Sequence, residues 1–505
     1  MANGDLTKNK ETYSPIETGL KDHKEYKKKL TPPLAQIPKM QHSSWVNDRL
    51  PEMLWAVLII GNIEREDALN FFHYVGKFAS EKNEFSDVTL SGLSNLSVDQ
   101  LKDFIQHLLK YSDKIKDTLS PLLLYPELPS FDIWQELLNQ PAPDEGWNKV
   151  VNGVSKTLDH QSQEVTDCRW IKVLCLILGG KLKLSSKDYA KRILEYPNFG
   201  DQREVRPSIR AMEIGMETAS NNQDTKWSND FWKQSYESTD CIPEELFGEK
   251  TKKIQEELSR TIEDQKKHYL TEIQRVRNDL ISHFFKSCQD TNVNPRRENS
   301  FGIALYGLSL FSEIIIYNAS SSLTGRIALR SLVENYINFK YLLKKEKEEP
   351  KIWDDFHSYG TGQIKLIYLK LKELSAQVKY AEIEELSRIV NEDLWIEFIP
   401  INLGHWENSD LRKMSEYACV KDIYDTYYNY TSGFVHGTRG ALRTSIYQRC
   451  LNPLHRFHRI PIFDFPMMPN IIEDSIKIVN KILECLSESN PSIEGRIKLF
   501  SESKL

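Results

Sequence analysis

Apolar side chains recur along most of this chain at intervals of three and four residues, and runs alternating apolar with polar are nearly absent. That periodicity predicts an all-α protein. The pattern does not start at once. Residues 1–42 are polar and Lys-rich, broken by Pro32, Pro33 and Pro38, and read as a flexible tail. The first helix falls in SSWVNDRLPEMLWAVLII, where Pro51 suits a first turn and Glu52 its positive end. Met53 to Ile60 is apolar on every side, as in a helix buried all round. Further helices follow in REDALNFFHYVGKFA, after Ser97 with Gln100 completing a capping box, and in PSFDIWQELLNQ. DCRWIKVLCLILGG ends at paired glycines, SSKDYAKRILEYP is stopped by Pro197, and RPSIRAMEIGMETA supplies one more. Residues 215–245, rich in Asn, Ser, Thr and Asp, read as an irregular connection between domains.

A narrow stripe of Ile254, Leu258, Ile262, Tyr269, Ile273, Val276, Leu280 and Phe284 then marks a long helix. Its other positions are charged, so it packs on one side. It could bridge two halves or form a homodimer by pairing with a copy of itself. DTNVNPRRENS reads as a loop. Beyond it come the buried helix FGIALYGLSLFSEIIIY and the long helix SSSLTGRIALRSLVENYINFKYLLKK, which Pro350 follows. WDDFHSYGTGQIKLIYLKLKEL, AEIEELSRIVNEDLWIEF and PNIIEDSIKIVNKILECLSE complete the second half. The expected organisation is a tail over 1–42, an N-terminal helical domain over 43–245, a connecting helix over 246–290 and a C-terminal helical bundle over 300–490.

Composition adds mainly exclusions. A chain of 505 residues can build a large core, and 40% hydrophobic with 27% charged is an ordinary balance. The net charge of −6 means that nucleic acid would need a local basic patch. The seven Cys are scattered with no CxxC pair, which argues against a structural zinc site and a disulfide framework and fits a reducing cytosol. The opening MANGDLTKNKETYSP lacks the apolar centre of a signal peptide. Apolar runs of about eight residues fall short of a membrane span. A cytoplasmic protein without a membrane partner is expected. No Walker loop, GxGxxG before a helix, HExxH or GxSxG is present, so neither a cofactor nor a metal is expected. The His455-x-x-His458 pair has two Arg beside it and no carboxylate close in sequence, which tells against a metal there.

Candidate chemistry concentrates in Tyr427 to Arg443, YYNYTSGFVHGTRGALR, read as one helix. Ser432, His436, Arg439 and Arg443 then share a stripe, and Gly433, Gly437 and Gly440 a second one where another backbone would pass closely. The expected neighbour is the helix carrying Arg326, Arg330 and Glu334. An imidazole among guanidinium groups can act as a base beside a bound phosphate, and the same groups can equally be hydrogen-bonded struts. A Ser432–His436–Glu334 hydrolase is disfavoured, because no strained nucleophile turn or oxyanion loop accompanies it. Arg449, Arg456 and Arg459, interleaved with Tyr447 and Phe457, form a basic run suited to phosphate contact and base stacking, or to salt bridges with the chain's own acids.

Two resemblances follow from these residues. Arg330-x-x-x-Glu334 running into Tyr336 and Tyr341, with Tyr428-x-x-x-Ser432-x-x-x-His436-Gly437, resembles an uncharacterised family of bacterial all-helical proteins over roughly residues 300–490. SWVNDRLPEMLWA looks like an element seen ahead of such domains. That family implies a fold and no activity. More loosely, Arg277, Asn278 and His283 resemble the Arg-to-His signature of the HEPN superfamily of helical ribonucleases and nucleotide-binding domains. That resemblance implies an Arg holding the scissile phosphate, a His moving the 2′-hydroxyl proton, and service in stress or phage defence. So loose a pattern also matches at Arg449 to His455, and the solvated face of a long charged helix is the plainer reading of Arg277 to His283. The leading expectation is a HEPN-like bundle that binds RNA or a nucleotide and could cleave RNA without metal. His436, Arg330, Glu334 and Arg439 would be catalytic, and Arg326, Arg443, Arg449 and Arg456 would hold nucleic acid. The alternative is a non-catalytic scaffold whose Arg/Glu/His cluster joins two helices.

Overall fold

The computed structural model describes residues 20–26, 29–31, 44–82, 87–184, 186–219, 226–244, 249–288, 292–374, 378–392, 396–404, 406–407, 410–462, 468–493 and 495–503. It is an all-helical protein apart from two short antiparallel ribbons, one pairing β1 (Lys24–Tyr26) with β2 (Lys29–Thr31). The chain forms two compact units. Unit 1 comprises residues 1–242 and 450–458, and unit 2 comprises 243–449 and 459–505.

In unit 1, α1 (Leu54–Asn62) is buried on all sides as its all-apolar sequence requires. Trp55, wholly buried, meets Phe72 of α2 (Arg65–Glu81) and Phe104 of α3 (Val98–Lys110) edge-on. Each fully buried side chain of this size stabilises the fold by roughly 1.5–3 kcal/mol. Ser97 and Gln100 close the expected capping box on α3. Helix α1 crosses α4 (Pro143–Thr157) at paired glycines: a Cβ on Gly61 would lie 2.3 Å from the Cα of Gly153. The central α5 (Gln163–Leu178) packs against α2 and against α6 (Gln202–Ala219). Between them Arg49 and Arg169, both buried, share Glu213, and Arg169 also lies 5.0 Å from the Trp45 ring centre. Burial pulls the Arg169 guanidinium down to about 10.

The sequence reading of 215–245 as irregular is corrected. Lys226–Glu237 is a helix, α7, whose Trp227, Phe231 and Trp232 are buried. The Trp227 indole donates to Pro51 O at 2.9 Å and the Trp232 indole to Val46 O at 3.1 Å. Polar residues dominate its composition, but spacing of the aromatics by four and five puts them on one face.

Unit 2 opens with the long helix α8 (Glu249–Ser287), whose Tyr269, Ile273, Val276 and Leu280 enter its core. Ile254, Leu258 and Ile262 lie outside the residues whose side chains are described. The expected loop at 290–300 is shorter than read, because Asn294 caps a helix that starts at Pro295, α9 (Pro295–Ile316). Among the described residues α9 is the one helix long and apolar enough to cross a membrane. Its Phe301, Ala304, Leu308, Phe311 and Ile314 lie in the unit 2 core. Around it pack α10 (Leu323–Lys345), α11 (Ile352–Glu373) and the final long helix, Ile472–Ser489. Helix α12 (Leu411–Tyr417) and the segment Tyr424–Val435 lie against α10.

Candidate binding cleft and its surroundings

Tyr427 to Arg443 is not one helix. A wide turn over Tyr424–Tyr428 leads into α13 (Asn429–Val435), the chain breaks, and α14 (Arg439–Ser445) follows. Gly437 causes the break. It sits at φ +57°, the Thr438 amide donates to Gly433 O at 3.0 Å, and the His436 amide donates to Ser432 O at 3.2 Å. This glycine-terminated helix end is what a left-handed residue produces. The expected polar stripe therefore divides between two helices. The glycine stripe does not receive another backbone either. A Cβ on Gly437 or Gly440 would meet nothing within 4 Å, and one on Gly433 would meet the Thr438 hydroxyl.

The neighbour relation does hold: α10 packs against α13 and the turn before it. The residues that meet there are Arg330, Glu334 and Tyr428. Arg330 pairs with Glu334 at 2.9 Å and donates to the Tyr428 hydroxyl at 2.9 Å, with its guanidinium carbon 4.9 Å from the ring centre. Tyr424 stacks on Tyr428 at 4.8 Å. His436 and Arg439 do not join this group. Both are exposed, as is Arg443, and none of the three side chains has a hydrogen bond or ion pair among the described residues. The catalytic quartet expected from sequence is thus two separate features, a half-buried pair and an exposed corner. Exposed Tyr430 and Tyr447 lie in the same stretch of chain as that corner.

The expected nucleic-acid contacts divide in the same way. Arg326 is 3% exposed and clamps backbone carbonyls, donating to Ser320 O at 3.0 Å, to Ser322 O at 3.3 Å and to Pro469 O. Its burial lowers its pKa from the ordinary guanidinium value. This is a correction: a side chain consumed by three carbonyls cannot also grip phosphate. Arg456 lies in unit 1, where it donates to Asn47 Oδ1 at 2.7 Å and covers the Trp232 ring. Arg449 is half-buried in β3 (Tyr447–Arg449), opposite Arg459 of β4 (Arg459–Pro461), in unit 2. The basic run is therefore divided between the units. On α8, Arg277 is exposed, Asn278 accepts from Gln274 at 2.8 Å, and His283 Nδ1 is 2.8 Å from Asp279 O. That imidazole nitrogen must carry a proton to donate to a carbonyl, so the segment has the geometry of a solvated helix face.

Beside Tyr428 an open cleft of roughly 770 Å³ lies within unit 2. Ser331, Glu334, Asn335 and Asn338 line one wall, on successive turns of α10. Tyr306, Tyr428, Leu403, Gly404, Glu407, Asp410 and Leu411 supply the rest. Asn335 Nδ2 and Asn338 Oδ1 are buried without a hydrogen-bond partner among the described residues, one a donor and the other an acceptor. Three carboxylates at the rim oppose a bare phosphate inside, whereas amides and tyrosine faces suit an uncharged polar ring. The sequence reading missed the two Asn, because nothing distinguishes an amide at a helix–cleft boundary from one facing solvent.

One further group was missed. Cys241, Cys450, His455 and His458, all in unit 1, have ligand-type atoms within 4.8 Å of one another. The inference from scattered cysteines to no zinc site rested on spacing along the chain, and folding closes that spacing.

These features define an all-helical protein carrying a ligand-sized cleft in its second unit. Residues 301–448, which include every residue lining that cleft, match the model of a family of unknown function (DUF5677). The Arg277–His283 segment lies outside the match. No curated protein and no solved structure matches the chain.

Proposed function

We propose that unit 2 binds single-stranded RNA or a nucleotide without cleaving it. A base enters the cleft between Tyr428 and the α10 amides, and phosphates meet the exposed Arg439 and Arg443. The observation that carries the reading is a cleft walled by Asn335 and Asn338 with a tyrosine at its edge, one amide atom of each Asn being buried without a partner among the described residues. A side-chain amide offers one donor and one acceptor, the pattern that reads a base edge, and every base has a face that stacks on an aromatic ring. Arg439 and Arg443, with no acid of the described chain to neutralise them, supply the charge that the acidic cleft lacks. Cleavage is left out because His436 is not held against Arg330 or Glu334, and an unpositioned base gives little acceleration. The scaffold reading keeps one part of the cluster: the Arg326 clamp and the Arg330–Glu334–Tyr428 group hold α10 to its neighbours.

The test is fluorescence anisotropy with a labelled, mixed-sequence single-stranded RNA of about 12 nucleotides, long enough to span one such site. Saturable binding at low salt is expected. R439E/R443E should flatten the log–log salt dependence by about 1.4, at about 0.7 per lost phosphate contact. N335A/N338A should weaken binding and leave that slope alone, and the RNA should be recovered intact. No saturable binding at low salt, or binding indifferent to both double variants, would overturn the reading.

A further inference from the structure

We propose that Cys241, Cys450, His455 and His458 form a structural zinc site in unit 1. Cys241 Sγ lies 3.5 Å from His455 Nδ1 and 3.3 Å from His458 Nε2, and Cys450 Sγ lies 3.5 Å from His455 Nδ1. A tetrahedral zinc with sulfur at about 2.3 Å and nitrogen at about 2.05 Å sets its sulfur and nitrogen ligands about 3.5 Å apart. The three separations therefore match the edges of a zinc tetrahedron. Two thiols and two imidazoles are also the donor set that selects zinc over harder cations.

The surrounding bonds prepare the ligands. His455 Nε2 lies 3.2 Å from Thr239 O and 3.1 Å from Thr239 Oγ1. A carbonyl only accepts, so Nε2 carries the proton and donates, which leaves the Nδ1 lone pair aimed between the two sulfurs. This outer bond, which fixes the tautomer of a ligating histidine, is a recurrent feature of zinc sites. The Ile242 amide donates to Cys450 Sγ at 3.4 Å, which holds that sulfur toward the group. Asn452 ties the two chain segments together, donating to Asp240 O at 2.8 Å and to Thr239 Oγ1 at 3.1 Å, and the Leu451 amide donates to Ile242 O at 2.7 Å. Arg456 and Phe457 adopt φ of +50° and +52°, reversing the chain so that His455 and His458 face the same point. Cys450 and His455 form the buried side of the group, and Cys241 with His458 its outer side. The chain leaves unit 1 after residue 242 and returns at residue 450, so the ion would pin departure to return. All four ligands lie outside the family match, which ends at residue 448.

The experiment uses the full chain purified under reducing conditions and dialysed against metal-free buffer, with metal measured by plasma mass spectrometry. One zinc per chain is expected. Replacement by cobalt should give thiolate-to-cobalt charge-transfer absorption and the visible bands of a tetrahedral ion. Because C450S removes a buried side chain, the deciding variants are C241S and H458N on the outer side. Each should lose the stoichiometric metal while circular dichroism shows the helices intact, and C241S should weaken the charge-transfer band. Three results would each overturn the assignment. These are protein free of zinc that gives no tetrahedral cobalt spectrum, zinc retained undiminished in both variants, and a Cys241–Cys450 disulfide that persists in the reduced preparation.

Discussion

Two arginines of unit 2 that sequence treats alike separate once their surroundings are known. Both read as residues of an anion site, Arg326 as a contact for nucleic acid and Arg439 as catalytic. What distinguishes them is the position of backbone carbonyls, which no local pattern reveals. Arg326 follows a turn whose Ser320 and Ser322 carbonyls point back at it, and the Pro469 carbonyl arrives from a segment 143 residues later. Truncating it removes three hydrogen bonds from a charged donor to part-buried carbonyls, each such bond contributing roughly 1.5–3 kcal/mol at most. Arg326→Ala should therefore lower the free energy of unfolding by about 2–4 kcal/mol in urea denaturation. Arg439→Ala should change it by no more than about 0.5 kcal/mol, as surface substitutions do. Equal effects would mean that the two side chains have been assigned the wrong environments. Arg330 falls between them. Its i, i+4 partner Glu334 was legible from spacing, whereas its bond to Tyr428 needed the fold.

At the scale of elements, apolar period was a good guide wherever one face is buried and a poor one where the chain turns on a single residue. Helix α1 follows from its all-apolar run, α3 from its stripe and capping box, α5 from its closing glycine and α10 from its long apolar period. Helix α7 escaped because its polar residues outnumber the three buried aromatics that hold it in place. The break after α13 escaped for a different reason. Three glycines at helical spacing fit close helix packing and helix termination equally well, and only the positive φ of Gly437 separates them. The distinction can be measured. Gly437→Ala forces a Cβ into the left-handed region and should destabilise unit 2 by about 1 kcal/mol or more. Gly440 lies in the first turn of α14 with open space where a Cβ would go, so Gly440→Ala should stabilise by up to about 1 kcal/mol. Thermal melts of the two single variants should move in opposite directions. Shifts of the same sign would restore the continuous helix.

For the molecule as a whole, the least legible feature is the excursion by which residues 450–458 return to unit 1. Periodicity is local, and a cysteine at 241 has no means of announcing a partner at 450. The physical consequence is large, because a crosslink across so long a loop restricts the unfolded chain strongly. By the loop-entropy model this is worth on the order of 5 kcal/mol for a loop of roughly 200 residues. If zinc makes that crosslink, removing it should act on unit 1 first. Seven of the ten tryptophans lie there, at positions 45, 55, 134, 147, 170, 227 and 232, so intrinsic fluorescence reports mainly that unit. A chelator should shift the fluorescence-detected melt to lower temperature, and added zinc should reverse the shift through mass action on the folded state. C241S should melt at the chelated temperature already and ignore both additions. A wild-type melt indifferent to chelator would remove the proposed crosslink and leave the long excursion held by Asn452, Leu451, His455, Arg456 and the apolar anchors Leu454 and Phe457.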